Sequence, residues 1–323
     1  MIPGVLLAAA VAVVAVVCAH VAPLVGAPVF AIVLGVAIRA AVPLPDRCRP
    51  GLAFSARTVL QAAIVVSGFG LSLATVVRTG LGTLPVTLGT IAVALILAPL
   101  LGRALHLDSA LRTMIGVGTA ICGASAIAAV SSVIEPEEAE IALAIATVFF
   151  YNVVAVLIFP PIGHALGLTQ DAFGLWAGTA INDTSSVVAA GFTYGKEAGE
   201  HATIVKLARA TLILPIVGAI ALLRAAAKRA EGAHIPWRRI IPWFILYFLA
   251  AALVNSTGVV PVSWHDGIAM VAVFLISVAL AAIGLQAELR RLLRAGARPL
   301  AFGFLLWVAV AVSSLAIQRV TGL

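Results

Sequence analysis

Gly178 to Gly191 reads GTAINDTSSVVAAG. Asp183 stands there among Thr179, Asn182, Thr184, Ser185 and Ser186, in a chain of 323 residues that is 63% hydrophobic and only 10% charged. A soluble domain carries about a quarter charged residues. So few charges cannot cover a water-facing surface, and the mean hydropathy is strongly positive. The long Ala/Val/Leu/Ile runs have none of the ten-residue alternation of an outer-membrane barrel. The chain reads as an all-α polytopic membrane protein in one transmembrane domain spanning 1–323, and an aspartate inside such a chain needs a reason.

Apolar segments long enough to approach the roughly 20 residues of a spanning helix fall at about 3–20, 23–42, 57–77, 82–102, 111–134, 139–161, 172–194, 202–223, 238–256, 266–286 and 299–318. The N-terminal run has no basic n-region and is read as a retained first helix rather than a leader. Of the thirteen acidic residues, Asp183 alone lies in the middle of a segment. Fifteen of the twenty basic residues fall in connections after even-numbered segments. Arg78, Lys196 and Arg319 fall on the other side, with the acidic stretch EPEEAE from Glu135 to Glu140. The bias of Lys and Arg toward the cytoplasm places the Arg-rich loops inside a bacterial inner membrane, and the N-terminus is expected outside. The net charge of +7 then reflects topology, with no nucleic-acid partner expected.

A shift of sixty residues lays GTAICGASAIAAV (Gly118–Val130) over GTAINDTSSVVAA (Gly178–Ala190). GFGLSLATVVRTGLGTLP (Gly68–Pro85) likewise resembles AIGLQAELRRLLRAGARP (Ala282–Pro299). Residues 57–102 therefore pair with 266–318, and 111–161 with 172–223. Duplication with polar interruptions at corresponding places marks the site of a secondary transporter. The first pair of repeats is inverted by parity. Segments 5 and 7 are inverted only if both are re-entrant or broken hairpins, and counting basic residues leaves that open.

Irregular backbone at membrane depth survives only inside protein or beside a water-filled cavity. The candidate residues are Thr119, Cys122, Gly123 and Ser125 in the first interruption and Thr179, Asn182, Asp183, Thr184, Ser185 and Ser186 in the second. For the hydroxyls the plain alternative is helix packing. Asp183 is different, because a charge at the bilayer centre costs about 2.5–3.5 kcal/mol on insertion scales and is functional by default. Lys206 and Arg209 share a helical face and read either as anion-binding groups, as counter-charges to Asp183, or as residues snorkelling to the interface. Asn152, deep in segment 6, has the means to hydrogen-bond the interruptions. The six histidines and three cysteines form no metal spacing, and no cofactor is expected beyond a coupling ion, H+ or Na+.

GTAICGASAIAAVSSVI, IATVFFYNVVAVLIFPPIGHALGL, FGLWAGTAINDTSSVVAAG and TIVKLARATLILP together resemble the YeiH-type sulfate-exporter family, grouped with the cation:proton antiporters and bile-acid symporters. The resemblance covers essentially the whole chain. It implies an inverted-repeat transporter whose broken helices cross at the substrate site, at Cys122–Ser125 and Asn182–Ser186. Asn182 stands where members of that family often carry His. The function so expected is secondary active transport of a small anion, such as sulfate or an organic sulfonate. The alternatives are an ion channel, a cation:proton antiporter that handles no anion, and, least favoured, an intramembrane enzyme. A homodimer is the expected assembly.

Overall fold

The computed structural model describes residues 1–21, 26–228, 243–287 and 296–323, with backbone alone for 221–228. Arg229, Arg238, Arg239, Arg290, Arg291 and Arg294, which weigh in the topology above, lie outside the described residues. The described elements are helices: α1 (Ile2–Val21), α2 (Gly26–Ala41), α3 (Asp46–Gly68), α4 (Leu73–Gly82), α5 (Leu84–Ala104), α6 (Ser109–Ala120), α7 (Ala124–Ile134), α8 (Glu138–Ala165), α9 (Gln170–Ala180), α10 (Thr184–Tyr194), α11 (Lys196–Thr211), α12 (Ile213–Lys228), α13 (Trp243–Ser256), α14 (His265–Gln286) and α15 (Ala297–Thr321). Among the described residues, seven helical stretches are long and apolar enough to cross a membrane, with α2, α7 and α13 as shorter apolar helices.

Segment 5 is α6 and α7, broken at 121–123, and segment 7 is α9 and α10, broken at 181–183. Both breaks turn the chain back. Gly174 on α9 faces Ala198 and His201, and Gly178 one turn later faces Ala202 and Val205, so α9 and α11 run the same way. Gly191 on α10 lies against Ala198 and Gly199, close to the turn at Gly195, so α10 runs against them. The two ends of this hairpin meet, with Phe173 stacked on Tyr194 at 3.8 Å between ring centroids.

The first hairpin enters from the opposite face. Gly102 and Ala98 of α5 lie against Arg112 and Gly116 of α6, an antiparallel pair. Gly118 meets the side chain of Ile127 across the break, and Val148 of α8 lies beside both Gly118 and Gly123. The far end of α8 reaches the mouth of the second hairpin, where Gly163 touches Phe173 and Tyr194. Its near end, three residues after α7, is therefore at the face where α6 begins. A capping box at Glu137 and Glu140 starts α8 there. Segments 5 and 7 are thus re-entrant from opposite faces.

This geometry corrects two topological expectations. The acidic stretch 135–140 lies at the face of Arg103 and Arg112, because α7 returns instead of crossing. The N-terminus also belongs to that face. The Lys196–Asp266 pair puts the start of α14 beside the mouth of the second hairpin, and Gly284 near its other end packs on Gly35 of α2. That leaves the α2–α3 connection, with Arg47 and Arg49, at the basic face. Gly4 abuts the Cys48 carbonyl there, so closely that only glycine fits, and Gly51 abuts that of Met1. The N-terminus and the Arg-rich loops share one face, and an external N-terminus is incompatible with cytoplasmic arginines.

Segment 3 also shifts. Expected at 57–77, its helix runs Asp46–Gly68, opened by a turn after Pro45 and containing a π-turn at Ser55–Val59. It stops at Phe69–Ser72, and Ser72 caps the separate helix α4 by accepting from Thr75 N–H.

Candidate functional site

The hairpin tips meet. Gly123 has φ +67 and ψ −128, a conformation open to glycine. A Cβ placed there would lie 3.5 Å from that of Asp183. Ile121 and Ile181, one from each copy and sixty residues apart, end the incoming limbs with carbonyls that lack helical partners. The Lys206 ammonium donates to both, to Ile121 O at 2.8 Å and Ile181 O at 2.9 Å. One turn on, Arg209 Nε donates to Ala120 O at 2.7 Å and Nη2 to Thr119 O at 3.2 Å. Both cations are fully buried. Each helix C-terminus carries roughly half a negative charge, so these ends, rather than a carboxylate, offset the lysine and arginine.

Asp183 serves the opposite kind of helix end. Its carboxylate accepts from the N–H groups of Ser185 at 3.1 Å and Ser186 at 3.3 Å and from the Ser185 hydroxyl, capping α10. Asn152 of α8 holds the same tip, its Oδ1 accepting from the N–H of Asn182 and of Asp183, both at 3.2 Å. The α7 N-terminus has no such side chain: Gly123 caps nothing, and Ala124 and Ser125 are exposed.

The family model described as conserved hypothetical protein 698 matches residues 3–303 of this chain. The chain belongs to that family. It is similar to a UPF0324 membrane protein of Streptococcus pyogenes serotype M3, 39% identical over 334 residues and covering 100% of this chain and 98% of the relative. A UPF0324 membrane protein of Streptococcus pneumoniae is 40% identical over 93% of this chain and 91% of its own length. One from Fusobacterium nucleatum is 37% identical over 93% and 92%. No solved structure matches.

In this member of the family the crossing brings together Cys122, Gly123, Asn182, Asp183, Ser185, Ser186, Asn152, Lys206 and Arg209, with Thr184 half-buried and Ser125 exposed at its edge. Thr119 contributes its carbonyl. Thr179 turns away: its hydroxyl meets Leu175 O and Ser314 Oγ, both at 2.7 Å, tying α9 to α15. Lys206 does not snorkel, because its ammonium points inward to the tips. Among the described residues no ion pair within 4 Å involves Asp183, Lys206 or Arg209. Asn182 Oδ1 and Arg209 Nη1 are buried without a partner among the described residues. The acceptor carbonyls of Ile121 and Ile181 escaped the sequence reading. Their signal was the identity of GTAI in both copies, which ends on those two isoleucines.

Proposed function

We propose that the protein is a secondary active transporter carrying a small anion across the inner membrane by alternating access, with the paired hairpin tips as its substrate site. The observation that carries this reading is that two hairpins, entering from opposite faces, meet at polar breaks in the same sixty-residue register. Inverted duplication around broken helices at mid-depth is the architecture of secondary transporters. Close contact between the tips argues against a continuous pore.

The choice of an anion rests on charge. Two cations are buried at the crossing where the side chains bring one half-buried carboxylate, Asp183, and α7 presents an N-terminus with no acidic cap, where backbone N–H groups favour an oxyanion. Arg209 retains an N–H at Nη1 to offer a ligand. A sodium ion would compete with the Lys206 ammonium and the Arg209 guanidinium for the same carbonyls, which favours H+ on Asp183 as the coupling step and disfavours a cation-only antiporter. The likeness to YeiH-type sulfate exporters adds sulfate or an organic sulfonate as the substrate class.

The test is flux and counterflow in proteoliposomes with sulfate, sulfonates and carboxylates, under imposed pH and sodium gradients. Saturable exchange of an anion, driven by a pH gradient and uncoupled by Asp183→Asn, is expected. Conductance that does not saturate, or full pH-driven flux in Asp183→Asn, would defeat the reading. Unchanged anion affinity in Arg209→Gln removes Arg209 from the binding site.

A further inference from the structure

Away from the crossing, a cavity of about 210 Å³ opens between α5, α6 and α12, lined by Leu95, Ala98, Pro99, Arg112, Thr113, Gly116, Val117 and Ile220. Its walls are apolar apart from Thr113 and a single guanidinium. The Arg112 stem lies over Gly102, with side-chain carbons 2.7–3.4 Å from where a Cβ would be. Its head makes one long hydrogen bond, Nη2 to Ser109 Oγ at 3.5 Å, and no ion pair within 4 Å among the described residues. Pro99 has no N–H, so the Leu95 carbonyl on the same wall loses its helical donor. The groove sits at the end of α6 nearest the basic face.

An apolar groove with one cation at the membrane-surface end suits an amphiphile of opposite charge. We propose that this groove binds an anionic phospholipid, with an acyl chain along Leu95, Ala98, Val117 and Ile220 and the phosphate on Arg112. A zwitterionic phospholipid offers the same phosphate but brings its own ammonium to compete with the guanidinium for it, so a lipid of net negative charge is preferred. A free phosphate would gain nothing from the apolar wall. Anionic lipids are concentrated at the leaflet that attracts basic residues, the face where Arg103 and Arg112 lie. The lipid would also brace α6, whose far end carries the carbonyls held by Arg209.

Native mass spectrometry of the intact protein, released from mixed vesicles, tests this without reference to transport. The wild type should retain phosphatidylglycerol at least several-fold over phosphatidylcholine of the same chains. Arg112→Gln should abolish that preference and Arg112→Lys should keep part of it. Leu95→Trp, which fills the groove, should lower retention of phosphatidylglycerol while Arg112 is intact. Inorganic phosphate at millimolar concentration should not displace the lipid. Equal retention of both lipids, an unchanged preference in Arg112→Gln, or displacement by inorganic phosphate would overturn the proposal.

Discussion

The two hairpin tips start from one sequence, GTAI, and end as unlike structures. In the second, Asp183 caps α10 and Asn152 holds the turn from outside, so each free N–H named above has a partner. In the first, Gly123 takes a backbone shape closed to other residues and leaves α7 uncapped. The carbonyl sides of the two breaks are treated alike, because one lysine serves both. The two tips share the electrostatics of their incoming limbs and differ in those of the outgoing ones. One tip has its free N–H groups met by Asp183 and by Asn152 of α8, and the other keeps donors at its surface.

Removing what the tips share should do the most damage. Lys206→Met deprives two carbonyls of charge-assisted bonds worth about 1.5–3 kcal/mol each. A loss of about 3 kcal/mol is expected, read as a lower melting temperature in detergent. A variant as stable as the wild type would show that the lysine is not a structural link. Gly123→Ala tests the first tip alone and should cost about 2 kcal/mol through its backbone conformation, visible as a lower melting temperature in detergent. Asn152→Leu tests the second tip. It strands two N–H groups and should cost about 1–2 kcal/mol, with hydrogen exchange rising at Asn182 and Asp183 and not at Cys122. Asp183→Asn keeps an oxygen for the cap and should change stability by less than about 1 kcal/mol. A larger loss would mean that the charge itself holds the fold, and transport data on this variant would need reinterpretation. Thr179→Val should be mildest, about 0.6 kcal/mol for one interhelical bond in a membrane, measured by thermal shift.

Much of this was legible beforehand. The breaks announce themselves, since polar residues interrupt apolar runs at matching positions sixty apart, and Asp183 is the lone acid at mid-segment. Re-entry was not legible, because turning both hairpins back leaves every strongly basic connection on its original side. Only the acidic stretch at 135–140 and the α8–α9 connection, which carries no Lys or Arg, change face, and acids carry little weight in topology. The work of Lys206 and Arg209 was hidden for another reason. Their partners are backbone carbonyls, which every residue carries, so nothing in the side-chain sequence marks Ile121 or Ala120 as acceptors. Segment 3 was misplaced because Arg49 and Arg57 read as loop. Both lie on the helix, Arg49 near its start, where a long basic side chain can reach water, and Arg57 exposed at its middle.

The lysine staple also bears on how the protein is made. Lys206 lies 85 residues beyond Ile121 in the chain, and Arg209 lies 89 beyond Ala120. At about 5–20 residues per second of synthesis, the first hairpin exists for on the order of 4–17 s before its partners emerge. Its turn cannot rest bare in lipid during that interval, since unpaired carbonyls there cost several kcal/mol. The first hairpin must therefore wait in the insertion machinery or at the membrane surface, and α11 completes its integration. Ribosome-stalled chains ending before Lys206 should leave Cys122 open to a water-soluble thiol reagent, and chains carrying all of α11 should bury it.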